Sequence, residues 1–213
     1  RLMGTKRSAK SHAWNQRQNK DIYVREARAR SLRSRSVFKL EQIDQKERLF
    51  RPGFNVLDLG AAPGGWSQYA ASKVRDSGQV IALDRLEIDP IPGVKVILGD
   101  FLDSPVVAEL NDILSKIRLH LVISDMAPNL TGIKDVDQPA MGNLVTMSAT
   151  FASQHLSEQG VFVAKFFEGA EAQNVKKTVA RLFSEVRVRK PDASRPKSAE
   201  NYIVARRPIK VGI

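Results

Sequence analysis

Lys165 is out of keeping with its neighbours. It interrupts GVFVAKFF (160–167), a run whose other members are apolar or glycine. A lysine is rarely buried there without a partner or a task. The plainer alternative is an ammonium that reaches water at the strand end. Four aspartates close other apolar runs: Asp58 in VLDLG, Asp84 in VIALD, Asp100 in VILGD and Asp125 in VISDM. A single aspartate in such a place is most simply a turn or helix-cap residue. Four in register describe a polar site at the carboxyl ends of strands, where open α/β sheets hold ligands. Carboxylates there accept from hydroxyl and amino groups, and a lysine beside them can take a proton or orient an oxygen.

The turn after Asp58 narrows the ligand. It reads GAAPGGWSQY (60–69). A dinucleotide turn needs Gly-x-Gly-x-x-Gly between strand and helix. The matching positions here are Gly60, Ala62 and Gly65, so the glycine that lets backbone approach a pyrophosphate is an alanine. Pro63 removes one N–H donor from the turn. No Gly-Lys-Ser/Thr follows, so a P-loop is excluded. The turn suits a nucleoside that carries no phosphate. Asp84, 24 residues after Gly60, stands where an acid holds ribose hydroxyls in such folds. Asp100 is placed to accept from an adenine amino group. S-adenosylmethionine, with an adenosine, a ribose diol and a sulfonium, matches these features. Its methionine end is expected between Gly60 and Gly65, with Trp66 closing the turn onto the helix.

These residues need a scaffold, and the chain supplies one. Strands are expected at 54–60, 79–84, 94–100, 119–126 and 160–167, then at 185–191 and 201–207. Helical patterns lie between them at 66–74, 106–117, 140–156 and 172–183. The first five strands are almost continuously apolar, as when helices cover both faces of a mostly parallel sheet. About ten residues separate the last two strands, too few for a crossover helix, so they are expected to pair antiparallel. The fold class is thus α/β and Rossmann-like: a seven-stranded, mostly parallel sheet with one antiparallel strand near its edge. A preceding helix is expected over 36–50, capped by Ser36 and ended by Pro52-Gly53.

The charge is unevenly distributed. The 213 residues carry a net +11, and residues 1–36 hold nine of those charges. A second basic cluster spans 187–197. Read functionally, both contact nucleic-acid phosphates; read plainly, they are solvated surface. The arm has no strong apolar face, which disfavours a membrane partner. Trp14, Tyr23 and Phe38 lie among basic residues, where they either stack on bases or anchor packing. There is no cysteine, and His12, His120 and His155 have no metal-ligand spacing. No apolar run reaches transmembrane length, and the lack of cysteine fits a cytoplasmic protein. The expected division is a basic RNA-binding extension (1–36), a catalytic domain (37–207) and a tail (208–213), in a monomer.

Taken together, SRSVFKL, DLGAAPGGWSQY, SDMAPNLTG, VAKFF and RKPDASRPKSAENYIVA resemble the FtsJ/RrmJ (RlmE) family. That family consists of S-adenosylmethionine-dependent ribose 2′-O-methyltransferases of ribosomal RNA. The resemblance runs from about Lys6 to Arg206, and GAEAQN (169–174) departs from it only locally. It implies the S-adenosylmethionine-dependent methyltransferase fold. It also implies a Lys-Asp-Lys-Glu tetrad at Lys39, Asp125, Lys165 and Glu200. Cofactor contacts carry over to Gly64, Trp66, Asp84, Asp100 and Asp125, beside Gly60 and Pro63 of the turn. The implied acceptor is a uridine of large-subunit (23S) ribosomal RNA, within the large ribosomal subunit. On the residues alone, Lys165 is either a general base or an orienting cation. Burial lowers its affinity for a proton, whereas Asp125 and Glu200 raise it. A tRNA 2′-O-methyltransferase is the nearest alternative. A nicotinamide oxidoreductase is disfavoured by Ala62 and Pro63. A non-catalytic ribosome-assembly factor has no use for a lysine in a core strand.

Overall fold

The structure is a computed structural model that describes residues 22–129, 131–195 and 198–210. Helix α1 covers 22–29 and α2 covers Val37–Glu47. Then come β1 (Asn55–Leu59), α3 (Gly65–Val74), β2 (Gln79–Asp84), β3 (Val94–Leu98), α4 (Ser104–Leu114) and β4 (Leu119–Ser124). The chain continues through α5 (Lys134–His155), β5 (Leu156–Phe167), α6 (Ala172–Leu182), β6 (Phe183–Arg189) and β7 (Glu200–Pro208). The seven strands form one sheet in the order β3-β2-β1-β4-β5-β7-β6. All neighbours are parallel except β7, which enters antiparallel between β5 and β6. That is the expected topology.

Two layers of side chains follow from strand alternation. Leu57, Leu59, Val122 and Phe162 face α4, α5 and α6 in one core. Val56, Leu121, Val163 and Tyr202 face α2 and α3 in the other. The second layer positions the site, because odd-numbered residues of β5 share that face. Lys165 therefore points where Val161 and Val163 point, and β7 pairs it directly with Tyr202.

Several boundaries differ from the sequence reading. Strand β3 is an edge strand with Lys95 and Leu98 exposed, so it is not covered on both faces. Helix α5 begins at Lys134 and carries Pro139 inside it, where that proline reads in sequence as a boundary. Ser36 does not cap α2. Its backbone is already helical, and its hydroxyl bonds Ser34 Oγ at 2.6 Å. The helix ends at Glu47, where Arg48 turns left-handed (φ 52°), well before Pro52-Gly53.

The extension does not separate from the domain at residue 36. Arg33 donates to the carbonyls of Asp89 (2.8 Å) and Pro90 (2.7 Å), and more weakly to that of Pro63 at 3.4 Å. Gln68 accepts from the Arg33 N–H, and Trp66 Nε1 donates to the Ser36 carbonyl. Residues 31–36 are thus built into the wall of the glycine turn. The greater part of the basic arm, residues 1–21 with Trp14 and His12, lies outside the described residues. Among the described residues no helix is long and apolar enough to cross a membrane.

Candidate active site

The four tetrad residues arrive from four elements and meet as two ion pairs. Lys165 Nζ, on β5, lies 3.0 Å from Asp125 Oδ1 and donates to the Asp125 carbonyl at 2.6 Å. Lys39 Nζ, in the first turn of α2, lies 2.7 Å from Glu200 Oε1 at the start of β7. Lys165 is only 9% exposed, so it does not reach out to water. Its alternative as a snorkelling surface lysine is removed.

Tyr202 joins the pairs. Its hydroxyl is 2.9 Å from Asp125 Oδ1 and 3.3 Å from Glu200 Oε1. Burial, then the charges of Asp125 and Glu200, push the phenol well above its ordinary value, so it stays protonated and donates. Burial alone would raise the Glu200 carboxyl. Lys39 and the Ser194 hydroxyl (2.9 Å) outweigh that and hold it below its usual range. The result is one hydroxyl flanked by two carboxylates, each carboxylate paired on its other side with a lysine. Sequence reasoning did not single out Tyr202. The signal was present: residues 200 and 202 are two apart on a strand and so share a face.

A cavity of about 530 Å³ opens on the other side of Asp125, within the usual range for a small-molecule site. Gly60, Asp84, Asp100 and Asp125 all line it, as expected, with Phe101 and Leu102 as apolar wall. Gly60 has φ +75°, and a Cβ there would stand 2.5 Å from Met126 Cγ. The turn therefore requires glycine at the mouth of the cavity. Asp84 organises its own surroundings: Oδ2 accepts from the Ala62 N–H and Oδ1 from the Leu86 N–H, each at 2.9 Å. Asp100 Oδ1 accepts from the Leu102 N–H at 2.9 Å. Each carboxylate oxygen keeps a second lone pair for a ligand.

Four expected positions sit elsewhere. Pro63, Gly64 and Trp66 are not on the cavity wall. The indole of Trp66 is buried and turned toward α2, 5.8 Å from the Tyr202 ring. Gly64 (φ +100°) packs toward Ile88 and Ile91 as the residue before α3. Asp58, counted among the four strand-end acids, is fully buried beneath the turn and bonds Ser67 Oγ at 2.6 Å. Burial, with the charges of Asp125 and Asp84, pushes it up to about 7 against the pull of Ser67.

Surface features also settle differently. Tyr23 and Phe38 pack on each other at 5.2 Å and anchor α1; Phe38 is 3% exposed and presents no face to a base, whereas Tyr23 is half-buried. In the 187–197 cluster, Arg187 and Arg189 pair with the buried Glu47, and Lys190 donates to the Ser198 carbonyl. Only part of that cluster is left for an outside ligand. His120 accepts from the Asn55 N–H and stacks on Phe54; His155 packs on Phe151.

A parallel sheet with its reversed strand beside β5, and an acid-lined cavity at its carboxyl edge, is the S-adenosylmethionine-dependent methyltransferase fold. The donor set fits that cofactor: Asp84 and Asp100 for hydroxyl and amino groups, a glycine mouth, and no phosphate cradle. When bound, S-adenosylmethionine supplies a methyl group already activated by its sulfonium. Residues 32–208 match the FtsJ-like methyltransferase family, and the chain belongs to it. It resembles a Plasmodium falciparum protein described as a ribosomal RNA methyltransferase, at 27% identity and TM-score 0.76, over 84% of this chain and all of that one. Two more distant structures share the fold. A Clostridium thermocellum protein described as an rRNA methylase matches at 14% identity and TM-score 0.55, over 79% of this chain and 96% of that one. Aeropyrum pernix fibrillarin, with natively bound S-adenosyl-L-methionine, matches at 15% identity and TM-score 0.57, over 80% of this chain and 76% of that one.

Proposed function

We propose that this methyltransferase transfers the methyl group of S-adenosylmethionine to the ribose 2′-hydroxyl of a uridine in large-subunit (23S) ribosomal RNA. The observation that carries the reading is the joined pair of ion pairs, Lys165–Asp125 and Glu200–Lys39, bridged by Tyr202. A sulfonium methyl needs little further activation, so the protein must place the acceptor oxygen and hold its proton. The Lys165 ammonium has three N–H donors, and Asp125 occupies two of them. In this reading the third binds the acceptor oxygen. The two contacts to Asp125 favour Lys165 as an orienting group over Lys165 as general base. Lys39 and Glu200 hold the ribose side of the site. The basic arm and the free part of the 187–197 cluster follow phosphates, in a monomeric cytoplasmic enzyme acting on the large subunit. The ribosomal RNA description of the Plasmodium falciparum protein supports the same acceptor class.

The test is transfer of a tritiated methyl group to large subunits, naked ribosomal RNA and tRNA, with mapping of the labelled nucleotide. A labelled 2′-O-methyluridine in large-subunit RNA is expected. Label on tRNA alone would move the enzyme to the tRNA-modifying branch, and label on a base would refute the reading. A pH–rate profile without a rising limb fits the orienting role.

A further inference from the structure

Beyond the Lys39–Glu200 pair lies a second cavity, of about 290 Å³. Arg35, Ser36 and Lys39 wall it from the entry to α2; Arg195, Ser198 and Glu200 wall it from the approach to β7. Asp125 lines the cofactor cavity, while Lys39 and Glu200 line this one. The tetrad is therefore the partition between two chambers.

The second chamber is cationic in excess. Lys39 already pairs with its one carboxylate. The guanidiniums of Arg35 and Arg195 remain. Arg35 is held in place, with Nη2 donating to the Ala193 carbonyl at 2.9 Å and the guanidinium 5.9 Å from the Tyr23 ring centroid. Its remaining donors, and all those of Arg195, have no partner among the described residues. No aromatic ring among the described residues lines the chamber. Two guanidiniums, an ammonium and two hydroxyls match the oxygens of a phosphate.

The acceptor's own chemistry then says which phosphate, given the ribose 2′-hydroxyl reading above. The 2′ and 3′ oxygens sit on neighbouring ring carbons. A 2′-hydroxyl seated at Lys165 carries the phosphodiester on its 3′ side with it. The cofactor chamber lies on the far side of Asp125, so that group must enter the other one. We infer that the chamber walled by Arg35, Lys39 and Arg195 binds the 3′-phosphodiester of the target nucleotide and thereby sets the ribose in line with the methyl group. It follows that the 3′-terminal ribose of a strand is a poor acceptor, and that the base is recognised elsewhere.

Two measurements test this. In the first, uridine 3′-monophosphate, uridine 5′-monophosphate and inorganic phosphate are titrated into the protein by NMR, with S-adenosylhomocysteine present. The 3′ isomer should bind at least about fivefold more tightly than the 5′ isomer, and Arg195→Gln should erase the preference. Arg195 is exposed, so this variant is expected to fold. Equal binding of the isomers, no binding of either, or a preference that survives Arg195→Gln would each overturn the inference. In the second, methyl transfer to large-subunit RNA is followed in Arg195→Gln and Arg35→Gln. KM for RNA should rise about tenfold in each and the salt slope of binding should fall by about one, with the loss on KM rather than kcat. If the unaltered enzyme methylates no RNA, the proposed function fails, and the nucleotide titration still decides the chamber.

Discussion

Asp58→Asn should change how the stability of this protein depends on pH. Asp58 lies wholly within the α2/α3 layer, with Ser67 Oγ on Oδ2 and no partner for Oδ1. Its carboxyl titrates at about 7 in the folded chain, against 3.8 when unfolded. The folded state holds this proton more tightly. Its contribution is therefore complete below the unfolded value and is lost as pH rises toward the folded one. At 1.36 kcal/mol per pH unit, the loss across that window is at most ~4 kcal/mol. Asparagine keeps an acceptor for Ser67 and has no proton to lose, so the variant lacks this slope. Urea unfolding of both proteins from about pH 4 to pH 8 reads the effect. The stability of the native protein relative to the variant should decline steadily to about pH 7 and then level. His120 and His155, lowered by burial, add a slope of the opposite sign, but equally to both proteins, and it cancels in the difference. Parallel stability curves would refute the argument that Asp58 is protonated under the turn.

Three further outcomes test the site. Lys165→Ala should lower kcat by about 10²–10⁴ while calorimetry still shows S-adenosylmethionine binding, and near-normal turnover would sink the mechanism. Tyr202→Phe removes only the hydroxyl between Asp125 and Glu200. Losing a hydrogen bond to a charged group should cost roughly tenfold in kcat with little change in thermal stability, and an unchanged kcat would count against the bridge. Gly60→Ala places a Cβ against Met126 at φ +75°; about 1–2 kcal/mol of stability should be lost, with cofactor affinity falling further, and full affinity in calorimetry would contradict the cavity mouth.

The fold was legible because its signals are local. Apolar runs of strand length, helical spacing between them and a ten-residue gap before the last strand were enough for the topology. The edge position of β3 was not, since Val94–Leu98 is as apolar in composition as the central strands. Of the site, Lys165 announced itself by interrupting a buried strand, and Asp84, Asp100 and Asp125 by their register. Lys39 gave no signal outside the resemblance, because a lysine on a helix is ordinary. Asp58 was misplaced among the cavity acids. Strand position says which end of the sheet a residue is near, but not that α3 seals it from the cavity. Tyr202 and Glu47 were missed because their roles are made by partners distant in sequence: Asp125 for the one, Arg189 and Arg206 for the other.

The reversed entry of β7 between β5 and β6 has a consequence for synthesis. Every acid lining the cofactor cavity lies before residue 126, whereas Glu200 and Tyr202 arrive with the last strand. A growing chain can complete the pocket for its methyl donor long before it has an acceptor side. Only when the final segment threads into the gap do Lys165 and Lys39 gain their common bridge. A chain that stops before residue 200 lacks both Glu200 and Tyr202, and with them the acceptor side of the site.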